Sequence, residues 1–183
     1  MANEREHRPL TVYMIGNAHI DPVWLWTVDE GRAEVLSTYR TAIMLIHEFP
    51  GYVFSSGGAA TYQWVQQDDP ALFAEIRQAV ARGQWAIVNG WMIQPDCNIP
   101  GGESFARHSL YAQRYFEREF GVRARVGYNV DSFGHAGTLP QILKLSGLDY
   151  YVFFRPGPHE KELPRGPFWW EAPDGSIVGF EFI

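Results

Sequence analysis

His19 and Asp21 stand two residues apart behind one apolar run, and Asp131 stands behind another. In extended backbone, residues i and i+2 face the same side, so that imidazole and carboxylate can converge on one point. An N/O donor pair of this kind is half of a zinc site, whose ligands come from Cys, His and Asp or Glu. Pro22 ends the run and frees the residues behind it to line a pocket. The ordinary alternative for His19-x-Asp21 is a hydrogen-bonded histidine beside a helix-capping aspartate. The stretch Tyr128-Asn129-Val130-Asp131-Ser132-Phe133-Gly134-His135 repeats the arrangement, with a carboxylate at the end of an apolar strand and small residues behind it. Asp131 could cap the next helix, although Thr138 is the better-placed cap. Two strands that deliver ligand-type side chains at the same end strengthen the case for one shared metal site.

The elements that must hold these residues follow from the apolar periodicity. Strands are expected over residues 11–15, 52–55, 85–88 with an extension through 91–93, 125–130 and 150–154. Helices are expected over 26–49, 60–67, 70–82, 103–120 and 138–146, with Pro50-Gly51, Pro70 and Gly83 as punctuation. Strand–helix alternation of this kind gives a mainly parallel α/β sheet or barrel, which places its site at the C-terminal ends of its strands. Residues 155–167 are rich in Pro and Gly and read as a loop. A hairpin around Ala172-Pro173-Asp174-Gly175 follows, and the sequence stops inside an apolar run, which reads as a domain incomplete at its C-terminus.

Composition bounds the partners. The 183 residues carry a net charge of -6, and their Lys and Arg are scattered, so nucleic acid is not an expected partner. No apolar run approaches a membrane span, and no membrane partner is expected. Residues 1–10 read as a polar tail without the apolar core of a secretory signal. Cys97 is the single cysteine, so no intrachain disulfide forms, which suits a reducing, cytoplasmic setting. Aromatic residues make up 15% of the chain, a load used by sugar-binding clefts and by large cores alike.

His19-Ile20-Asp21-Pro22-Val23-Trp24 and the block from Asp131-Ser132-Phe133-Gly134-His135 to Gln141 resemble the two signature blocks of glycoside hydrolase family 38 α-mannosidases. A third block, Gly90-Trp91 through Asp96-Cys97-Asn98 to Glu103-Ser104, is similar to the middle segment of bacterial members. The resemblance spans residues 11–183, in order and in spacing. It implies the N-terminal part of a catalytic domain built as a seven-stranded β/α barrel of the glycoside hydrolase/deacetylase type. It implies one Zn2+ held by His19, Asp21 and Asp131, with other divalent metals as permissible substitutes, and Asp131 as the nucleophile of a retaining mechanism. Trp24 would pack on the sugar, Phe133 and Arg155 would line the same pocket, and Asp96 would touch sugar from the rim. The substrate implied is a mannose-containing oligosaccharide or glycan, whose 2- and 3-hydroxyls meet the zinc in the family. Homo-oligomers are also within the family's habit.

Retaining hydrolysis needs a nucleophilic carboxylate and a second carboxyl group about 5 Å away to protonate the leaving oxygen. In the family that second group and a fourth ligand, a histidine, lie further along the chain than residue 183. Glu103, Glu160 and Glu171 stand as surrogate donors with ordinary surface or capping alternatives. His47 and His108 are expected on solvated helix faces, His159 on the surface, and His135 as a support for its loop. Cys97 is expected to line the pocket, and Trp85, Trp91, Trp169 and Trp170 to serve core or interface. A truncated carbohydrate- or metal-binding fragment without catalysis is the competing reading. A deacetylase-like hydrolase, in which metal activates water, is the other.

Overall fold

The computed structural model describes residues 11–157, 159–164 and 166–182, with 180–182 described by their backbone. The polar tail expected over 1–10 lies outside the described residues. Helix α1 (Val28–Glu48) opens on a reciprocal box in which the Glu30 amide donates to the Thr27 hydroxyl and the Thr27 amide to the Glu30 carboxylate. Helices α2 (Ala59–Asp68) and α3 (Pro70–Ala81) meet at Asp69, whose carboxylate accepts the Leu72 amide. Pro70 fills the first turn of α3, where no intrahelical amide is needed. Helix α4 (Gly102–Phe120) stops on left-handed Gly121, and α5 (Leu139–Leu145) is the shortest. Thr138 does not cap α5 as expected: it sits in the right-handed helical region, not the extended backbone of a capping residue, and its side chain makes no cap bond.

Strands β1 (Gly16–Asn17), β2 (Phe54–Gly57) and β3 (Trp85–Val88) pair in parallel in that order. Strands β4 (Val126–Asn129), β5 (Tyr150–Phe153) and β7 (Ile177–Phe182) form a second parallel arc. Strand β6 (Phe168–Glu171) folds back antiparallel on β7 through the expected hairpin. The Asn89 amide donates to the Val126 carbonyl at 2.8 Å and joins the two arcs. The result is a mixed α/β fold with largely parallel sheets. The described strands lie in a three-stranded and a four-stranded sheet, and no closed barrel is formed among them. No helix of the described residues is long and apolar enough to cross a membrane.

Two expected strands fall differently. Residues 12–15 are exposed, Met14 at 91%, and pairing begins only at Gly16. The apolar run signals burial, but β1 is an edge strand with no described strand paired on its outer side. Residues 91–93 do not extend β3, because Asn89 and Gly90 both take positive φ and turn the chain away. The Trp91 and Met92 carbonyls instead accept the Ala59 and Ala60 amides at the start of α2, two of the groups a helix N-terminus leaves unpaired.

The core is aromatic beneath β1–β3. Trp85 packs edge-on against Tyr39 and Phe54, and its indole N–H donates to the Tyr62 hydroxyl at 2.8 Å. Tyr62 in turn donates to the Ser56 carbonyl. Burial pushes the Tyr39 phenol up to about 12, so these hydroxyls act as neutral hydrogen-bond groups. Much of the aromatic load seen in the sequence therefore serves packing.

His108 is a correction. It is half-buried on α4, its Nδ1 enclosed without a partner among the described residues, because α4 is a buried-sided helix rather than a free one. Burial holds its pKa below the ordinary histidine value. The unfolded chain therefore takes up a proton before the folded one does, and stability declines as pH falls from about 6.5. His135 adds the same sign, while Asp68, Asp69 and Asp149, lowered from 3.8, lose their contribution only at far lower pH. A His108→Leu chain should lose less stability between pH of about 7 and 5.5 in urea titrations; an unchanged slope would contradict this.

Candidate active site

The segment leaving β1 alternates. Ala18 and Ile20 pack against the core, which sends His19 and Asp21 to the other side, into a cleft. The Asn17 amide donates to the Ser55 carbonyl at 2.8 Å and ties this exit to β2. His19 Nε2 lies 3.2 Å from Asp21 Oδ1 and 4.0 Å from Asp131 Oδ2. Asp131 stands two residues past β4, so the two arcs contribute to the same point from the C-terminal ends of their strands.

Asp131 also faces a cation. Its Oδ1 lies 2.7 Å from Nε of Arg155, which follows β5. The contact is an ion pair and not an aligned hydrogen bond, since the enclosed Nε–H has no acceptor in line. The Arg155 guanidinium carbon sits 4.8 Å from the Phe133 ring centroid, a cation–π distance. Phe133 and Trp24 leave 74% and 65% of their surface exposed, large apolar faces at the mouth of a cleft.

All seven residues singled out in the sequence line one open cleft of about 510 Å³: His19, Asp21, Trp24, Asp96, Asp131, Phe133 and Arg155. Asp96 Oδ1 accepts the amides of Asn98 and Ile99, which fixes its own loop at the rim. Trp26, Gln94, Asn129 and Ser132 line the cleft as well and escaped the sequence reading. Trp26 had a signal, its place two residues after Trp24; its indole N–H donates to the Asp21 carbonyl at 3.0 Å and packs edge-on to Trp24. Cys97 does not line the pocket. It is 1% exposed beneath the floor, where Asn129 donates to its sulfur, and burial pushes its thiol up. Glu103 pairs with Arg107 and Glu160 accepts the Gly157 amide; neither they nor Glu171 reach the cleft.

The donors suit a divalent cation of the N/O-binding type. Ligand atoms around a tetrahedral zinc stand roughly 3.3–3.6 Å apart. The His19–Asp21 edge at 3.2 Å is close to that, and the His19–Asp131 edge at 4.0 Å is longer. No group of three such side chains among the described residues is compact enough to be a formed metal site, because Asp131 leans to Arg155. His19 and Asp21 are donors of the right type and spacing for a cation, and Asp131 stands off from them toward Arg155.

Residues 9–183 match the model of the glycosyl hydrolases family 38 N-terminal domain. The chain belongs to glycoside hydrolase family 38. Two relatives are each 33% identical to it, Alpha-mannosidase G of Dictyostelium discoideum over 168 residues and the Alpha-mannosidase of Saccharomyces cerevisiae over 167. Those matches cover 91% and 90% of this chain but only 16% and 15% of the relatives, so the chain corresponds to a small part of each. Its backbone superposes on an alpha-mannosidase from Enterococcus faecalis V583 with a TM-score of 0.82 at 23% identity, over 92% of this chain and 19% of that one. At that identity the superposition speaks for the fold.

Proposed function

We propose that the protein carrying this chain is a zinc-dependent retaining α-mannosidase acting on mannose-containing oligosaccharides or glycans, and that this part supplies its nucleophile. The observation that carries the reading is the convergence of His19, Asp21 and Asp131 in one cleft with Arg155 on the far oxygen of Asp131. The names of the two relatives at 33% identity supply the sugar. Asp131 would attack the anomeric carbon as the bond to the leaving oxygen breaks, forming a mannosyl-Asp131 ester that water then hydrolyses. Arg155 would hold the attacking carboxylate in place, and the exposed faces of Trp24 and Phe133 would take the apolar faces of the sugar. Asp96 would hydrogen-bond a hydroxyl from the rim. His19, Asp21 and Asp131 would hold zinc, or another divalent ion, which when bound supplies positive charge to the sugar hydroxyls. The two arcs would be parts of a seven-stranded barrel, and a cytoplasmic setting suits the free thiol of Cys97.

Metal content and hydrolysis of aryl α-mannosides, measured on the intact protein and on His19→Ala, test this reading. One zinc per chain with turnover is expected in the parent, and loss of both in the variant. Turnover that survives removal of all metal would overturn the metal half, and turnover confined to other glycosides the sugar half.

A further inference from the structure

A buried chain of polar groups runs under the cleft floor and ends on the backbone of Arg155. The Asn129 side-chain amide lies 3.0 Å from the Cys97 sulfur, and that sulfur lies 3.5 Å from the Tyr151 hydroxyl. The hydroxyl lies 3.1 Å from His135 Nδ1, and His135 Nε2 lies 2.7 Å from the Arg155 carbonyl oxygen. Tyr151 is fully buried, and the His135 ring is packed edge-on against Tyr151 and Phe153.

The carbonyl end fixes the imidazole proton and, through it, the phenolic one. A carbonyl oxygen only accepts, so His135 Nε2 must carry the hydrogen. Nδ1 of the neutral ring is then an acceptor, and it takes the single phenolic hydrogen of Tyr151. The Cys97 thiol hydrogen has the Tyr151 oxygen and the Pro95 carbonyl, 3.5 and 3.7 Å from the sulfur, as its acceptors, while the sulfur accepts from Asn129 Nδ2. A doubly protonated ring would have to donate from Nδ1 and turn the Tyr151 hydroxyl toward the Cys97 sulfur, and burial of His135 opposes that charge. Residues from the loop behind β3, the end of β4, β5 and the loop behind β4 are thereby tied together.

We infer that His135, held as the Nε2–H tautomer by Tyr151, is a positioning residue that sets where the Arg155 guanidinium meets Asp131. His135 is not among the residues lining the cleft, so it acts through Arg155 and touches neither sugar nor metal donors. Arg155 has no helix or strand of its own to fix it, since β5 ends at Phe153. Its carbonyl bond to His135 holds its backbone, while its guanidinium meets Asp131 in the ion pair and Phe133 in the cation–π contact. Loosening the first moves the second, and a shift of a fraction of an ångström at a nucleophile is felt in the chemical step.

This inference rests on Asp131 being the nucleophile, and the test separates the two. In the intact protein, His135→Leu should lower kcat about 10–100-fold with KM and zinc content unchanged, the usual scale for a lost supporting hydrogen bond. His135→Gln, which can present an N–H near the same place, should recover most of that loss. In an Arg155→Met background, His135→Leu should cost no more than about twofold further, because residues acting as a unit do not add. Equal losses in the Leu and Gln variants, zinc loss, or multiplying losses would each overturn the inference. Nitrogen-15 spectra of histidine in the unaltered chain read the tautomer without any turnover: Nε2–H is expected near neutral pH, and Nδ1–H or a doubly protonated ring would refute it. A parent that shows the tautomer but hydrolyses no mannoside would count against the functional reading and leave the hydrogen-bond chain standing.

Discussion

Asp131→Asn in the intact protein should lower kcat on an aryl α-mannoside by about 10⁴-fold or more. The exchange keeps volume and hydrogen-bonding capacity and removes the charge and the attacking oxygen. Arg155, 2.7 Å away, then faces a neutral amide. Asp96→Asn at the rim should act differently, raising KM by about tenfold with kcat nearly preserved, since in the proposed reading it weakens one sugar contact at the exposed edge of the cleft. Steady-state kinetics on both variants make the comparison. A loss at Asp131 within tenfold, or equal losses at the two positions, would contradict a nucleophilic Asp131.

The second large effect lies away from the cleft, at Gly31 in the first turn of α1. A Cβ there would stand 2.3 Å from the Pro22 carbonyl oxygen and 3.0 Å from its carbon, backbone atoms that no rotamer change can move. Helix propensity favours Gly31→Ala by about 1 kcal/mol. Overpacking costs about 1–3 kcal/mol, so the clash should win. Relief requires α1 or the Asp21-Pro22 segment to shift, and Asp21 is held by its carbonyl to Trp26. Gly31→Ala should therefore unfold at lower urea and bind zinc about 10–100-fold more weakly. Urea titration with isothermal zinc titration checks both; a variant more stable than the parent would show that propensity alone decides this turn.

Local signals were legible in the sequence wherever local chemistry decides structure. Pro50-Gly51, Pro70 and Gly83 mark helix ends that the structure reproduces to within a residue or two. The alternation that sends His19 and Asp21 to one side was readable because Ala18 and Ile20 are apolar. Long-range facts were not readable. Whether residues 12–15 are covered depends on what packs outside β1, and the turn at Asn89 and Gly90 depends on α2 needing carbonyls for its first amides. Cys97 could be placed near the site but not above or below its floor, since burial beneath Tyr151 is a tertiary fact. Thr138 shows the limit of composition: a good capping residue does not cap from helical backbone. His135 could be read as a loop support, but its tie to Arg155 joins positions 20 residues apart.

The proposed mechanism turns on a covalent bond between Asp131 and mannose. The intact protein should be treated with a fluorinated α-mannosyl reagent whose sugar–enzyme ester turns over slowly, then digested and its peptides weighed. A fluoromannosyl mass on the peptide holding Asp131, lost in Asp131→Asn, is the predicted result. Steady turnover of the reagent with no labelled peptide, or a label on another residue, would contradict it.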